Sequence, residues 1–297
     1  MSNQKINNIV VLGDSWAEGW GFHNDFLDIN ISFEEFYDKN SQFTHMREHS
    51  SFGGLVAKNL GIKNINNFAS GGFSNFQIMD SLLSTIRNFN NEDMKNTFFL
   101  ISLSCWQRMT FPLSENSIFY IKNPNDFKNT RLYNFDYTLA IENCSKAKNF
   151  VKNVLVPNFY DDFGLIEISQ RYITSMYEIL KKSNSKFLFI DTFAKNFIEK
   201  DYPKRKRNKI SQQIQMFGEY ISESPNYFSN KLMGEYCLEK FIKNYQRKDY
   251  FYCEILDYSF HPKFKDYFYE CAHPNRKSHK IIADVLTEYI ENEKILK

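Results

Sequence analysis

Ser15 is the residue of this chain whose surroundings most favour nucleophilic chemistry. The apolar residues 9–12 precede it and predict a buried strand, and the tripeptide Gly13-Asp14-Ser15 follows directly. The serine is therefore expected at the carboxyl end of a strand, where open α/β sheets bind their ligands. Because a serine hydroxyl is a weak nucleophile until a base removes its proton, this interpretation requires a histidine.

His273 and Glu270 can supply the base and the acid that such a serine needs. The two residues are three positions apart, so one helical turn would bring their side chains to the same side. A carboxylate placed there accepts the imidazole N–H, fixes the tautomer and stabilises the imidazolium that forms as the serine loses its proton. On its own, His273 is better explained as a turn residue before Pro274, whereas the presence of Ser15 favours the catalytic interpretation.

A glycine-containing segment, residues 67–75 (NFASGGFSN), follows the second predicted strand. Backbone N–H groups at such a turn can point at a developing oxyanion, because glycine allows close approach. An ordinary strand-to-helix turn is the alternative, since tight turns commonly use glycine. Beside Ser15, the segment is a candidate oxyanion hole.

The elements that position these residues follow an alternating strand and helix pattern. Strands are predicted at 9–12, 65–69, 97–103 and 187–191, and helices at 52–60, 76–89, 166–182 and 277–291. This order predicts an α/β fold with a parallel sheet and right-handed crossovers. Insertions are predicted where the pattern breaks, at 22–48 (a polar, aromatic loop over the site), 109–160 and 195–262. No repeat or linker divides the chain, so we expect a single domain over residues 1–297.

Composition limits the classes of function. The chain has 297 residues, of which 42% are hydrophobic and 24% charged, as in ordinary globular proteins. A formal net charge of +2 gives no strong global attraction to nucleic acid or to an anionic membrane. One marked basic cluster, residues 204–209 (KRKRNK), is better explained as a solvated loop than as a phosphate or nucleic-acid site.

The cysteine pattern predicts a reducing, cytoplasmic location. The five cysteines are odd in number and form no Cys-x-x-Cys, which argues against a disulfide framework or a zinc site. The first residues contain no apolar signal-peptide core, and no run approaches the ~18 apolar residues of a membrane span. Because no cluster of His, Asp and Glu has metal-ligand spacing, no metal or other cofactor is expected.

Three short blocks of the chain form a set: Gly13-Asp14-Ser15, the turn from Asn67 to Gly72, and Glu270-x-x-His273-Pro274-Asn275. Together they resemble the SGNH/GDSL hydrolase family, and they bracket nearly the whole chain. The resemblance implies a three-layer, flavodoxin-like fold and ester hydrolysis through an acyl-enzyme. It also implies that Ser15 is the nucleophile, that His273 is the base, and that the N–H groups of Ser15 and Gly72 form part of the oxyanion hole.

The chain departs from the family pattern in two places. Its acid is Glu270 where the family usually has aspartate, although other hydrolases use glutamate to orient the histidine. The family's Gly-x-Asn-Asp after the third strand is replaced by residues 104–108 (SCWQR), as in diverged SGNH-like proteins of phages and environmental bacteria. A lost oxyanion donor typically costs ~3 kcal/mol of transition-state stabilisation. Asn75 and Ser104 are the first candidates to replace the missing asparagine, followed by Gln107.

Four other residues near these blocks have two explanations each. Trp16, Trp20 and Phe22 suit either a stacking wall for a sugar or acyl chain or packing in the core. Arg108 either binds an anionic group of the substrate or pairs with a carboxylate. His279, on the last predicted helix, is expected to be structural.

These observations predict a cytoplasmic serine esterase that removes an acetyl or other small acyl group from a carbohydrate or related metabolite. Its expected partner is that small-molecule or carbohydrate ester, with neither nucleic acid nor membrane. An acyltransferase is the close alternative, because a sugar hydroxyl can resolve an acyl-enzyme in place of water. A non-catalytic binding or structural protein that keeps the fold is the alternative from another class, suggested by the missing asparagine and the insertions.

Overall fold

Strands and helices alternate along the part of the chain that the computed structural model describes, which is residues 6–29, 32–38, 41–104, 111–114, 117–119, 162–191, 212–229, 232, 266–269 and 273–297. The strands are β1 (Asn8–Leu12), β2 (Asn64–Asn67), β3 (Thr97–Leu103), β4 (Phe111–Ser114), β5 (Ser117–Phe119), β6 (Lys186–Asp191) and β7 (Tyr227–Phe228). The α-helices are α1 (Ser15–Glu18), α2 (Phe33–Tyr37), α3 (Phe43–Ser50), α4 (Phe52–Asn59), α5 (Asn75–Arg87), α6 (Asn91–Asn96), α7 (Asp162–Lys182), α8 (Gln212–Ser222) and α9 (Arg276–Asn292). A 3₁₀ helix covers Phe22–Ile29.

Five of the strands form a parallel sheet in the order β2-β1-β3-β6-β7. Counted within this sheet, the order is 2-1-3-4-5, which is that of flavodoxin-like doubly wound folds. Strands β4 and β5 form a separate antiparallel pair. In a doubly wound sheet of this order, ligands bind beyond the carboxyl ends of the strands, and the crevice between β1 and β3 is the expected place.

Helices cover both faces of the sheet because its inner strands β1, β3 and β6 are largely apolar on both faces. All seven residues of β3 are buried, and their side chains alternate between two cores. Phe98 and Leu100 pack with residues of α4 and α9, whereas Phe99 and Ile101 pack with residues of α5 and α7. The predicted three-layer α/β architecture is therefore confirmed.

Most predicted elements are confirmed to within a few residues. The third strand has the predicted bounds, and α9 exceeds its prediction by one residue at each end. The inward face of α9 contains Ile282, Val285 and Leu286, which are buried. This helix packs against α4, and the two cover one face of the sheet.

The prediction of a loop over 22–48 is wrong for the described residues of that interval. They form the 3₁₀ helix, α2 and most of α3. A cluster of aromatic rings accounts for the difference, because the Phe36 ring lies 5.6 Å from that of Phe26 and 5.0 Å from that of Phe43. The segment thus has its own small apolar core, built from rings that show no regular spacing in the sequence.

The interval 195–262 contributes one strand to the main sheet. Strand β7 pairs with β6 and completes the sheet, although the sequence pattern assigned the interval to an insertion. A strand of two residues is too short to show periodicity, which is why the pattern does not reveal it. Most of this interval and of 109–160, including the basic cluster 204–209, lies outside the described residues.

No helix in the described part of the chain combines the length and the apolarity needed to cross a membrane.

Candidate active site

Ser15 occupies the first position of α1, directly after β1. Asp14 is the N-cap of this helix, and its Oδ1 accepts the N–H of Trp16 at 3.1 Å. A Cβ on Gly13 would lie 2.7 Å from the Cβ of Ser102, so only glycine lets β1 turn this close to β3. The local sequence therefore places a buried serine at the carboxyl edge of the sheet.

His273 is held on a short antiparallel bridge just before α9. Tyr269 donates its backbone N–H to the carbonyl of His273 at 2.9 Å, and Asn275 donates its own to the carbonyl of Tyr267 at 3.0 Å. Asn275 is also the N-cap of α9, because its Oδ1 accepts the N–H groups of the second and third residues of the helix. The histidine backbone is thus fixed on both sides.

The structure brings Ser15 and His273 together. The Oγ of Ser15 lies 2.9 Å from the Nε2 of His273, and both residues are buried. In the neutral tautomer that carries its proton on Nδ1, the histidine accepts the serine hydroxyl through Nε2. This is the distance and the pairing of a general base beside its nucleophile.

Trp20 and Gly21 border the histidine. The Trp20 indole meets the His273 ring edge-on, with 5.3 Å between ring centroids. Gly21 has a φ of +102°, and a Cβ there would lie 2.7 Å from the ring of Tyr269 and 3.1 Å from the Cβ of His273. The chain passes this close to the histidine because glycine tolerates both the conformation and the contact.

Of the three aromatic residues near the nucleophile, Trp16 and Phe22 are buried in the interior, and Trp20 is half-buried. The core-packing explanation therefore applies to the first two. For Trp20 the explanation as a wall of the site stays a prediction, and its ring lies beside that of His273.

The predicted oxyanion turn lies next to Ser15. Ser70 donates its N–H to the carbonyl of Gly13 at 3.1 Å, which fastens the turn to the end of β1. Gly72 is buried with a φ of +80°. Within the described residues, neither the Ser15 N–H nor the Gly72 N–H has a hydrogen-bond acceptor. Buried N–H groups without an acceptor are rare, and these two are the predicted oxyanion donors.

Asn75 and Ser104 are bonded to each other. The Nδ2 of Asn75 donates to the carbonyl of Ser104 at 2.9 Å and to the Oγ of Ser169 at 2.8 Å, while its Oδ1 accepts the N–H of Ser104 at 2.9 Å. These contacts tie the end of β3 to α5 and α7, and they use both hydrogens of the amide. Donation from either residue to an oxyanion stays a prediction.

Replacing Asn75 with alanine is expected to lower the free energy of unfolding by about 2–4 kcal/mol, because it removes the two hydrogen bonds that its buried amide makes to the backbone of Ser104. Urea unfolding measures the change. The control is Asn88→Ala, since Asn88 is exposed on the surface at the end of α5 and should change stability by only about 0.5 kcal/mol or less. A value for Asn75→Ala equal to that of the control would contradict the structural function.

Glu270, the predicted acid, lies outside the described residues, as do Gln107 and Arg108. Their roles stay predictions. Among the described residues, no group of three or more His, Cys, Asp and Glu side chains could hold a metal ion.

His279 is completely buried on the first turn of α9. Its Nδ1 accepts the N–H of Phe52 at 3.0 Å, and its ring lies 4.8 Å from the ring of Phe22. Burial, with a smaller contribution from the charge of His273, lowers the pKa of His279 to about 3. The residue is therefore neutral and joins α9 to the start of α4.

Glu18 and Arg47 contact the site and were not predicted from the sequence. The carboxylate of Glu18 accepts the N–H of Gly71, and Arg47 forms an ion pair with it. One signal was available for Glu18, which follows Ser15 by three residues and so shares its helical turn. No local pattern points to Arg47.

Comparison with known proteins finds solved structures that are only distantly similar to this chain. No family model matches the chain, and no curated protein matches it. Among solved structures, it is similar to the psychrotrophic esterase EstA of Pseudoalteromonas sp. (12% identity, 96% of this chain and 97% of that one, TM-score 0.42). It is also similar to a GDSL-like lipase of Bacteroides thetaiotaomicron (12%, 96% and 88%, TM-score 0.40) and to a carbohydrate esterase (15%, 99% and 71%, TM-score 0.45). At these TM-scores the similarities support no argument about function, which rests on the chain's own topology and site.

Proposed function

We propose that this chain is a serine hydrolase of the SGNH type that cleaves a small acyl ester through an acyl-enzyme. The observation that carries the proposal is the 2.9 Å contact between the Oγ of Ser15 and the Nε2 of His273. It lies at the carboxyl edge of a flavodoxin-like sheet, beside two buried N–H groups that have no acceptor in the described structure. Nucleophile, base and oxyanion donors are the parts that acyl transfer requires.

In the first half of the reaction, His273 takes the hydroxyl proton as the Oγ of Ser15 bonds to the ester carbonyl carbon. The oxyanion that forms accepts hydrogen bonds from the N–H groups of Ser15 and Gly72. The bond to the alcohol then breaks, and the imidazolium gives its proton to the leaving oxygen. In the second half, His273 takes a proton from water as the water oxygen bonds to the acyl carbon. The bond between that carbon and the Oγ of Ser15 then breaks, and the imidazolium returns the proton to the Oγ, which releases the acid and restores Ser15 and neutral His273. Glu270 is proposed to orient His273 through its Nδ1–H.

The proposed substrate is a small acyl ester, such as an acetyl ester, of a carbohydrate or related metabolite, handled in the cytoplasm. The Trp20 indole beside His273 supports this substrate, because an aromatic face offers a stacking surface to a sugar ring. The odd number of cysteines supports a reducing compartment. If a sugar hydroxyl replaces water in the second half, the same residues act as an acyltransferase. Analysis of products formed with and without sugar acceptors separates the two activities.

A fluorophosphonate probe tests the proposal, because it bonds covalently to an activated serine. We expect intact-mass analysis to show one adduct on the wild-type chain and none on Ser15→Ala. The control is Ser84→Ala, which removes an exposed serine of α5 and should keep the adduct. A wild-type chain that neither forms an adduct nor turns over p-nitrophenyl acetate at pH 6–9 would contradict the hydrolase and favour a non-catalytic binding protein.

A further inference from the structure

Glu18 connects the helix of the nucleophile to the oxyanion turn. It is the last residue of α1, three residues after Ser15. Its Oε2 accepts the N–H of Gly71 at 2.6 Å, a short bond of the kind that a charged acceptor makes. Gly71 immediately precedes Gly72, so this single side chain joins the two segments that carry the proposed oxyanion donors.

Arg47 holds the carboxylate from the other side. Its Nη1 lies 3.2 Å from the Oε1 of Glu18, and its side chain is only 6% exposed. The Nη2 donates to the Oγ1 of Thr44 at 3.2 Å and to the carbonyl of Tyr37 at 3.4 Å, while the guanidinium lies over the Tyr37 ring. Because the arginine is fixed by α2 and α3, the carboxylate has little freedom to leave Gly71.

The bond to Glu18 decides which N–H of the turn is available to a ligand. The Gly71 N–H is used by the carboxylate, whereas the Gly72 N–H has no acceptor among the described residues. Trp20 closes the turn on its outer side, since a Cβ on Gly71 would lie 3.3 Å from the indole. Without the carboxylate, the turn keeps the Ser70 bond to Gly13 but loses its contact with the helix of Ser15, so the Gly72 N–H is less well fixed relative to Ser15.

We propose that Glu18, held by Arg47, is a positioning residue that sets the Gly72 N–H at the proposed oxyanion. The inference rests on the proposed function and extends it to a residue that does not touch the substrate. Oxyanion donors act at 2.7–3.1 Å from the charge, and their loss costs about 10²–10³-fold in kcat. A shift of the turn therefore lowers kcat by part of that factor and leaves ground-state binding nearly unchanged.

The test compares Glu18→Gln with wild type in p-nitrophenyl acetate hydrolysis. The glutamine amide has one oxygen for two donors, so either Gly71 or Arg47 faces an NH₂ group. We expect kcat to fall about 10–100-fold, with KM within about threefold of wild type. Glu92→Gln, a change at an exposed glutamate of α6, is the matched control and should leave both constants unchanged.

Glu18→Asp keeps the experiment decisive if Glu18→Gln does not fold. Aspartate keeps the charge beside Arg47 but is one carbon–carbon bond, about 1.5 Å, too short for Gly71. We expect a folded protein by circular dichroism and a similar fall in kcat. An active wild type whose folded Glu18 variants keep the wild-type kcat, or change only KM, would overturn the positioning role alone. An inactive, unlabelled wild type would overturn the proposed function and this inference together.

Discussion

Replacing His273 with alanine is expected to lower kcat/KM for p-nitrophenyl acetate about 10⁴-fold or more. The reason is the 2.9 Å contact of its Nε2 with the Oγ of Ser15, since no other group is assigned to take the hydroxyl proton. The expected residual rate comes from substrate binding and the N–H donors of the oxyanion hole. Steady-state kinetics with purified protein measures the change.

Two further variants make this prediction specific. His45→Ala removes an exposed histidine of α3 and should keep the wild-type rate. The double variant Ser15→Ala/His273→Ala should lose no more activity than either single variant, because nucleophile and base act as one unit. A His273→Ala protein that keeps a tenth of the wild-type rate would show that another group is the base.

Replacing His279 with glutamine is expected to remove a large pH dependence of stability. The pKa of His279 is about 3 in the folded protein, chiefly because of burial, against an ordinary value of 6.5. Above pH 6.5, both the folded and the unfolded states carry the neutral ring, and the contribution to stability is complete. Between pH 6.5 and 3, only the unfolded state takes up the proton, so the free energy of unfolding falls as the pH falls, by about 1.4 kcal/mol per pH unit.

Urea unfolding at pH 7.5 and pH 5.0 measures this slope. The stability lost by the wild type over this interval should exceed that lost by His279→Gln by about 2 kcal/mol. Glutamine is the suitable replacement because its oxygen can accept the Phe52 N–H but does not titrate. Other histidines, such as His23 and His49, contribute equally to both proteins. Parallel curves for the two proteins would contradict the buried, neutral state of His279.

Periodicity explains how much of the fold could be predicted. Strand β3 is almost wholly apolar and α9 repeats its apolar residues at helical spacing, so both follow from local sequence. The aromatic cluster around Phe36 and the two-residue strand β7 do not follow from local sequence. The rings of the cluster come from separate short helices without regular spacing, and β7 depends on its pairing with β6. Local patterns carry no record of such contacts.

The candidate site also contains residues that the sequence predicts and residues that it does not. Ser15 and His273 could be proposed from residue type and chemical role, because acyl transfer requires a nucleophile and a base. The hydrogen-bond partner of Asn75 could not be predicted, because its amide can bond either an oxyanion or the backbone at the end of β3. Only the packing of the folded chain determines which partner it has. Arg47 is even harder to predict from the sequence, because its partner Glu18 is 29 positions away and on a different helix.

The position of His273 before the last helix has a consequence for biosynthesis. Ser15 and His273 are 258 positions apart, so a ribosome that adds about 5–20 residues per second needs roughly 13–50 s to pass from one to the other. During that interval β1, β2 and β3 can pair, but α9 does not yet cover its face of the sheet and the proposed base is absent. Under the proposed function, the nascent chain is therefore inactive. In a translation reaction, the onset of the proposed activity would mark the arrival of the final helix.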